Sequence, residues 1–150
     1  LHSTASAKVL DTSNQIWSNI SKSKKSMIVF NYIFAGLFTI FALLQINDPD
    51  PYVWIPIYGV VALICFFNAK KKYDRFAHLV ILACCIIYGI NLLIKSDSVV
   101  SWFNDHNAES LVESMKATKP WIENTREFGG LLIITIVTSI NIVKHKKAGA

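Results

Sequence analysis

The sequence predicts an all-α, integral membrane four-helix bundle with short amphipathic helices in its outer loop, and three observations carry that prediction. Apolar residues make up 53% of the 150, and they gather in uninterrupted blocks rather than in the one-sided stripes of a soluble helix. Asn47-Asp48-Pro49-Asp50-Pro51 closes the first block and opens the second almost at once. Basic residues crowd onto alternate connections, the asymmetry that sets the topology of a polytopic protein.

The elements follow in order. Residues 1–26 are rich in Ser, Thr, Ala and Asn and end in Lys22-Ser23-Lys24-Lys25. They read as an N-terminal extension on the cytoplasmic side, with a targeting remnant and a partner-binding arm as alternatives. Val9, Ser13, Ile16, Trp17 and Ile20 fall near helical spacing, which suits a short helix lying in the interface. The membrane domain covers 27–147, with spans at 27–46, 52–69, 76–94 and 120–143 and a tail at 148–150. About twenty residues at ~1.5 Å each match the ~30 Å hydrocarbon thickness.

Turn chemistry separates the spans. Pro49 pushes Asp48 to an extended conformation, Asp50 is placed to N-cap the second helix, and Pro51 suits its first position. Tyr52 and Trp54 are expected at the outer interface as anchoring aromatics. Lys70-Lys71-Lys72-Tyr73-Asp74-Arg75 is a short basic turn. In the outer loop, helices following Ser96-Asp97 and Asn107 would present Val99, Val100, Trp102 and Phe103, then Leu111, Val112 and Met115.

Charge sets the orientation. With the N-terminus, the 70–75 turn and the C-terminal tail on one side, that side holds eleven of the fifteen basic residues and two of the ten acids. The rule that counts Lys and Arg makes it cytoplasmic. Lys70, Lys71, Lys72, Arg75, Lys144, Lys146 and Lys147 then form a fringe for anionic lipid, each contributing about 1 kcal/mol near the surface. No basic platform interleaved with aromatics is present, so nucleic acid is not an expected partner. Cys65, Cys84 and Cys85 lie within apolar blocks and read as small buried hydrophobes.

Two motifs stand out as a pair: Asn47-Asp48-Pro49-Asp50-Pro51 with Trp54 and Tyr58, and Thr125-Arg126-Glu127-Phe128-Gly129-Gly130-Leu131. With four spans of these lengths, residues 27–147 resemble the transmembrane protein 220 family, in particular its small bacterial members. The resemblance implies a four-helix integral membrane protein and transfers no catalytic residue. A bacterial inner membrane is the favoured location, an organelle membrane the alternative.

The candidate site is acidic and outer. Glu123 and Glu127 share one face of the last helix, with Arg126 near Glu123. Packing of that helix beside the first hairpin would let Asp48 and Asp50 meet Glu123, Glu127 and His106. Oxygen donors of that kind suit a hard divalent cation. The competing reading makes the acids helix caps and dipole partners. Gly129 and Gly130 permit close helix approach. Asn31, Gln45, Asn91 and Asn141 are expected to hydrogen-bond between helices. No firm metal set, haem ligation or hydrolase motif is recognised: His78 has only His145 as a second axial candidate, and no Gly-x-Ser-x-Gly or His-Glu-x-x-His occurs.

The leading functional expectation is therefore a non-enzymatic structural or accessory subunit of a membrane complex. Its partners would be membrane lipids and other membrane-protein subunits. It rests partly on phenylalanines taken to face lipid, namely Phe30, Phe34, Phe38, Phe41, Phe66 and Phe67. The alternative is a protein that binds a cation or lipid headgroup at the outer acidic patch, with a bound lipid or divalent cation in place of a resident cofactor. An enzyme acting on lipid through Asp48, Glu127 and His106 ranks third, for want of a nucleophile.

Overall fold

A computed structural model describes residues 2–94 and 120–149, together with positions 100 and 104; for 2–7, 9, 120, 121 and 147–149 it describes the backbone only. Four helices make up the bundle: α1 (His2–Leu44), α2 (Pro51–Ala69), α3 (Arg75–Ile94) and α4 (Pro120–Gly149). Each is long and apolar enough to cross a membrane, and no strand occurs among the described residues. The two outer-loop helices expected after Asp97 and Asn107 lie almost wholly outside the described residues.

The first helix differs from the sequence reading. Residues 2–26 do not form a separate interfacial helix but continue directly into the first span, making one helix of 43 residues. No Pro or Gly interrupts residues 2–35, so nothing in the backbone chemistry breaks the i→i−4 ladder there. The polar stretch inherits its helical state from the span that follows it.

Between α1 and α2 the chain turns through a 3-10 helix, Gln45–Asn47. The Asp48 amide donates to the Gln45 carbonyl at 3.1 Å, and Asp48 is then extended, with ψ at 156°, the conformation a following proline favours. Pro51 starts α2. The α2–α3 connection is a Schellman turn: Lys71 donates to Asn68 and Lys72 to Phe67, both at 2.9 Å. Lys71 holds the left-handed position, φ 62°, where glycine is at ease and a lysine costs roughly 1 kcal/mol. Asp74 then caps α3, its Oδ1 accepting from the amides of Phe76 at 2.8 Å and Ala77 at 3.3 Å.

α1 packs most extensively on α2, and α3 on α4. The core between the pairs holds Phe38, Leu92 and Ile134, all fully buried, with Trp54, Tyr58, Val61 and Val137 around them. Phe38 stacks on Tyr58 at 6.2 Å between ring centroids, Tyr58 meets Phe41 at 5.7 Å and Trp54 at 5.8 Å, and Trp54 meets Tyr88 at 5.7 Å. This overturns the lipid-facing reading of four phenylalanines. Phe38 is in the core and Phe30, Phe34 and Phe41 pack against it, while Phe66 and Phe67 are exposed. Residues 30, 34, 38 and 41 recur at helical spacing, so they share one face of α1 and turn inward together. The outward face is largely aliphatic, with Ile33, Ile40, Leu63, Ile87, Ile90 and Ile136 exposed beside Phe66, Phe67 and Phe76.

Of the two glycines expected to permit close packing, one does. A methyl group on Gly130 would overlap the Tyr58 hydroxyl, whereas one on Gly129 would meet nothing. Tyr58 cannot swing aside, because its ring is held by Phe38, Phe41 and Trp54. Gly130→Ala is therefore expected to destabilise the bundle by about 1–3 kcal/mol, with Tyr58→Phe restoring part of the loss and Gly129→Ala leaving it near neutral. Thermal unfolding in detergent measures all three.

Candidate functional site

At one end of the bundle the turn between α1 and α2 meets the start of α4. Extended backbone at Asp48 places it beneath that turn, where its side chain is 5% exposed. Asp50 occupies the N-cap position of α2, and its carbonyl accepts from the Val53 amide at 3.0 Å. The expected side-chain cap is not made. The carboxylate turns instead toward Asp48 and Glu123, and one oxygen of each residue lies within 4.8 Å of the others. Asp50 Oδ1 is enclosed with no hydrogen-bond partner. The α2 amides thereby forgo a capping oxygen, and three acids share one small volume.

The remaining predicted residues divide. Glu127 accepts from Trp54 Nε1 at 2.9 Å, which ties α4 to α2 and leaves it outside the trio. Arg126, expected beside Glu123, reaches Asp48 Oδ1 at 3.9 Å, an ion pair rather than a close hydrogen bond. His106 lies outside the described residues. Trp54, expected at the interface, is 1% exposed and serves as a buried donor, while Tyr52 is 77% exposed and keeps the outward position. A sign of this was present in the sequence: Trp54 and Tyr58 are four apart and so share a face, and Tyr52 is on another.

Electrostatics follow from the packing. Burial, chiefly, pushes the Asp48 carboxyl up to about 6. The neighbouring Asp50 carboxyl and the charges of Asp50 and Glu123 push the same way, and Arg126 opposes them. Three carboxylates against one guanidinium leave the cluster net negative when all are ionised.

At the opposite end, Lys70, Lys71, Lys72, Arg75, Lys144 and Lys146 are all exposed, and Lys70 Nζ lies 5.6 Å from the Phe66 ring centroid. The side chain of Lys147 is outside the described residues. Among the described residues, Asp48, Asp50, Glu123 and Glu127 lie at one end of the four helices and these basic residues at the other.

A bundle of four membrane-length helices, closed by polar contacts at both ends, defines a helical integral membrane protein. The chain belongs to transmembrane family 220, whose helical family model matches residues 37–143. It is similar to Transmembrane protein 220 of Xenopus laevis, with 26% identity over 107 residues, covering 71% of this chain and 53% of that protein. The chain thus spans about half the length of the curated relative it matches. No solved structure matches. The family match contains the acidic turn, α2, α3 and most of α4, and it begins inside α1. The relative is eukaryotic and adds nothing to the bacterial membrane expected above.

A carboxyl raised from 3.8 to about 6 binds a proton more tightly in the folded state than in the unfolded one. Its stabilising contribution is complete below 3.8 and lost as pH rises through about 6. In chelator, the unfolding temperature should therefore fall as pH rises across that window, and Asp48→Asn should flatten the fall. A pH series of thermal unfolding curves tests this directly.

Proposed function

We propose that this protein is a non-enzymatic membrane protein that binds a divalent cation, Ca²⁺ by preference, between Asp48, Asp50 and Glu123. The observation that carries the reading is the enclosed, unpartnered Asp50 Oδ1 beside two further carboxylates. An oxygen in that position carries a desolvation cost of about 1–3 kcal/mol unless something pairs with it. A cation supplies the pairing, and Asp50's failure to cap α2 leaves its carboxylate available. Oxygens no more than 4.8 Å apart place a central ion at most ~2.8 Å from each, a gap a hard cation can bridge, and three converging carboxylates suit Ca²⁺ better than Mg²⁺, which keeps several of its waters. Backbone carbonyls of the turn and water would complete the shell.

The accessory-subunit reading loses the support it drew from lipid-facing phenylalanines, since four of the six pack into or against the core. With the basic fringe on the cytoplasmic side, the cation site would face away from the cytoplasm.

The test is a calcium titration of chelator-stripped protein in neutral detergent, followed by thermal unfolding and native mass spectrometry. Ca²⁺ should raise the unfolding temperature more than Mg²⁺ at pH 7.5, and lose effect below about pH 6 as Asp48 takes up its proton. Asp50→Asn should weaken binding about tenfold or more, equivalent to ~1.4 kcal/mol, without lowering the stability of the metal-free protein. Equal calcium responses in wild type and Asp50→Asn would overturn the assignment. A stable heteromeric mass indifferent to chelator would favour the subunit reading instead.

A further inference from the structure

The basic end contains a cavity of about 490 Å³ between α1, α2, the α2–α3 turn and α4. Its walls combine two kinds of residue rarely found together inside a bundle. Asn31, Asn68 and Asn141 are amides within the spans, and Lys24, Lys71 and Lys144 are cations around them. We propose that this cavity binds a phosphate ester, supplied by the headgroup of an anionic phospholipid.

The amides form a directed network. Asn31 Nδ2 donates to Asn141 Oδ1 at 2.8 Å and to the Met27 carbonyl at 2.9 Å. Asn68 Nδ2 reaches Asn31 Oδ1 at 3.4 Å and His78 Nε2 at 2.8 Å. His78 Nδ1 faces the Asp74 carbonyl, which can only accept, so the proton sits on Nδ1 and Nε2 accepts from Asn68. That assignment fixes the Asn68 amide: turning it over would set its oxygen against two acceptors. The orientation leaves Asn68 Oδ1 buried with no partner. A buried amide oxygen without a donor costs about 1–3 kcal/mol.

The cations specify the ligand. Three lysines line one cavity, and no carboxylate is among the lining residues to balance them. Their convergence favours an anion with several acceptor oxygens. Lys71 is there at a conformational cost, since its left-handed φ of 62° suits glycine better. Strain of this kind collects where a side chain is needed by a ligand. Tyr73 forms part of the wall, its ring stacked on His145 at 3.7 Å and on His78 at 4.6 Å. Met27 and Ile28 line the same cavity and give the glycerol and acyl stem an apolar path toward the bilayer. That path distinguishes a lipid headgroup from a free phosphate ester.

The test uses the full chain, delipidated in neutral detergent and titrated with phosphatidylglycerol, phosphatidylcholine or soluble glycerol 3-phosphate under native mass spectrometry. One phosphatidylglycerol should bind per chain, at least about tenfold tighter than phosphatidylcholine. Lys71→Gly is the informative variant. It relieves the backbone, so it should raise thermal stability, and it removes a cation, so it should weaken phosphatidylglycerol binding by about tenfold. A misfolded variant cannot do both. Lys146→Gln, on the same exposed end but not in the cavity wall, should change affinity less than about twofold. Equal losses in the two variants would reduce the effect to a diffuse basic fringe and overturn the proposal. Glycerol 3-phosphate binding as tightly as the lipid would overturn the assignment to a headgroup.

Discussion

The hydrogen bond from Asn31 Nδ2 to Asn141 Oδ1 joins the first helix to the last across 110 residues of chain, at 2.8 Å and buried. In a bilayer an unpaired amide has no water to turn to. Apolar packing alone offers little driving force between helices there, because lipid tails are as apolar as leucine. The amide pair therefore does what hydrophobic burial does in a soluble core: it decides which faces of α1 and α4 meet. Once those faces are chosen, Phe30, Phe34, Phe38 and Phe41 turn inward on α1 and Gly130 comes up against Tyr58.

A second polar tie, Trp54 to Glu127, lies toward the other end, and between the two lies an apolar core with fully buried Phe38, Leu92 and Ile134. The bundle is thus clasped near both membrane surfaces and packed by aromatic contact in the middle. This division explains the contrast between its ends. Near the acidic turn, carboxylates are drawn together by helix packing and by an unused N-cap. Near the basic turn, amides bridge three helices and lysines ring a cavity. Among the described residues, each end keeps one buried side-chain oxygen without a hydrogen-bond partner, Asp50 Oδ1 and Asn68 Oδ1. The clustered carboxylates suit a cation, and the lysine-lined cavity suits an anion.

Much of this fold was legible before any coordinates. Span length, proline-directed turns and apolar blocks determine an all-α membrane bundle from local chemistry alone, because backbone hydrogen bonds in lipid must close within each helix. Asn31 and Asn141 were recognisable as interhelical donors and acceptors for the same reason. Asp74 was not singled out as a cap, although Asp followed by a long apolar run carries that signal. The inward phenylalanine face is carried by the helical spacing of residues 30, 34, 38 and 41, which aromatic content by itself does not reveal. Asn91, expected to bond between helices, is exposed, while Asn68, at the end of α2, joins the network instead.

The sequence by itself determined the four helices, their breaks and the segregation of charge along the chain, since each depends on residues within a few positions of one another. It could not determine which acids meet. Asp48 and Asp50 lie more than seventy positions from Glu123 and Arg126 in the chain, and their proximity depends on the rotation of α4 about its axis. That rotation is set by Asn141, Gly130 and Glu127 finding their partners on α1 and α2. Tertiary structure alone therefore separated Glu127 from the acidic trio, moved Trp54 from the interface to the interior, and opened a lysine-lined cavity whose walls come from three different helices. Contacts of that range follow from packing geometry, which no local pattern encodes.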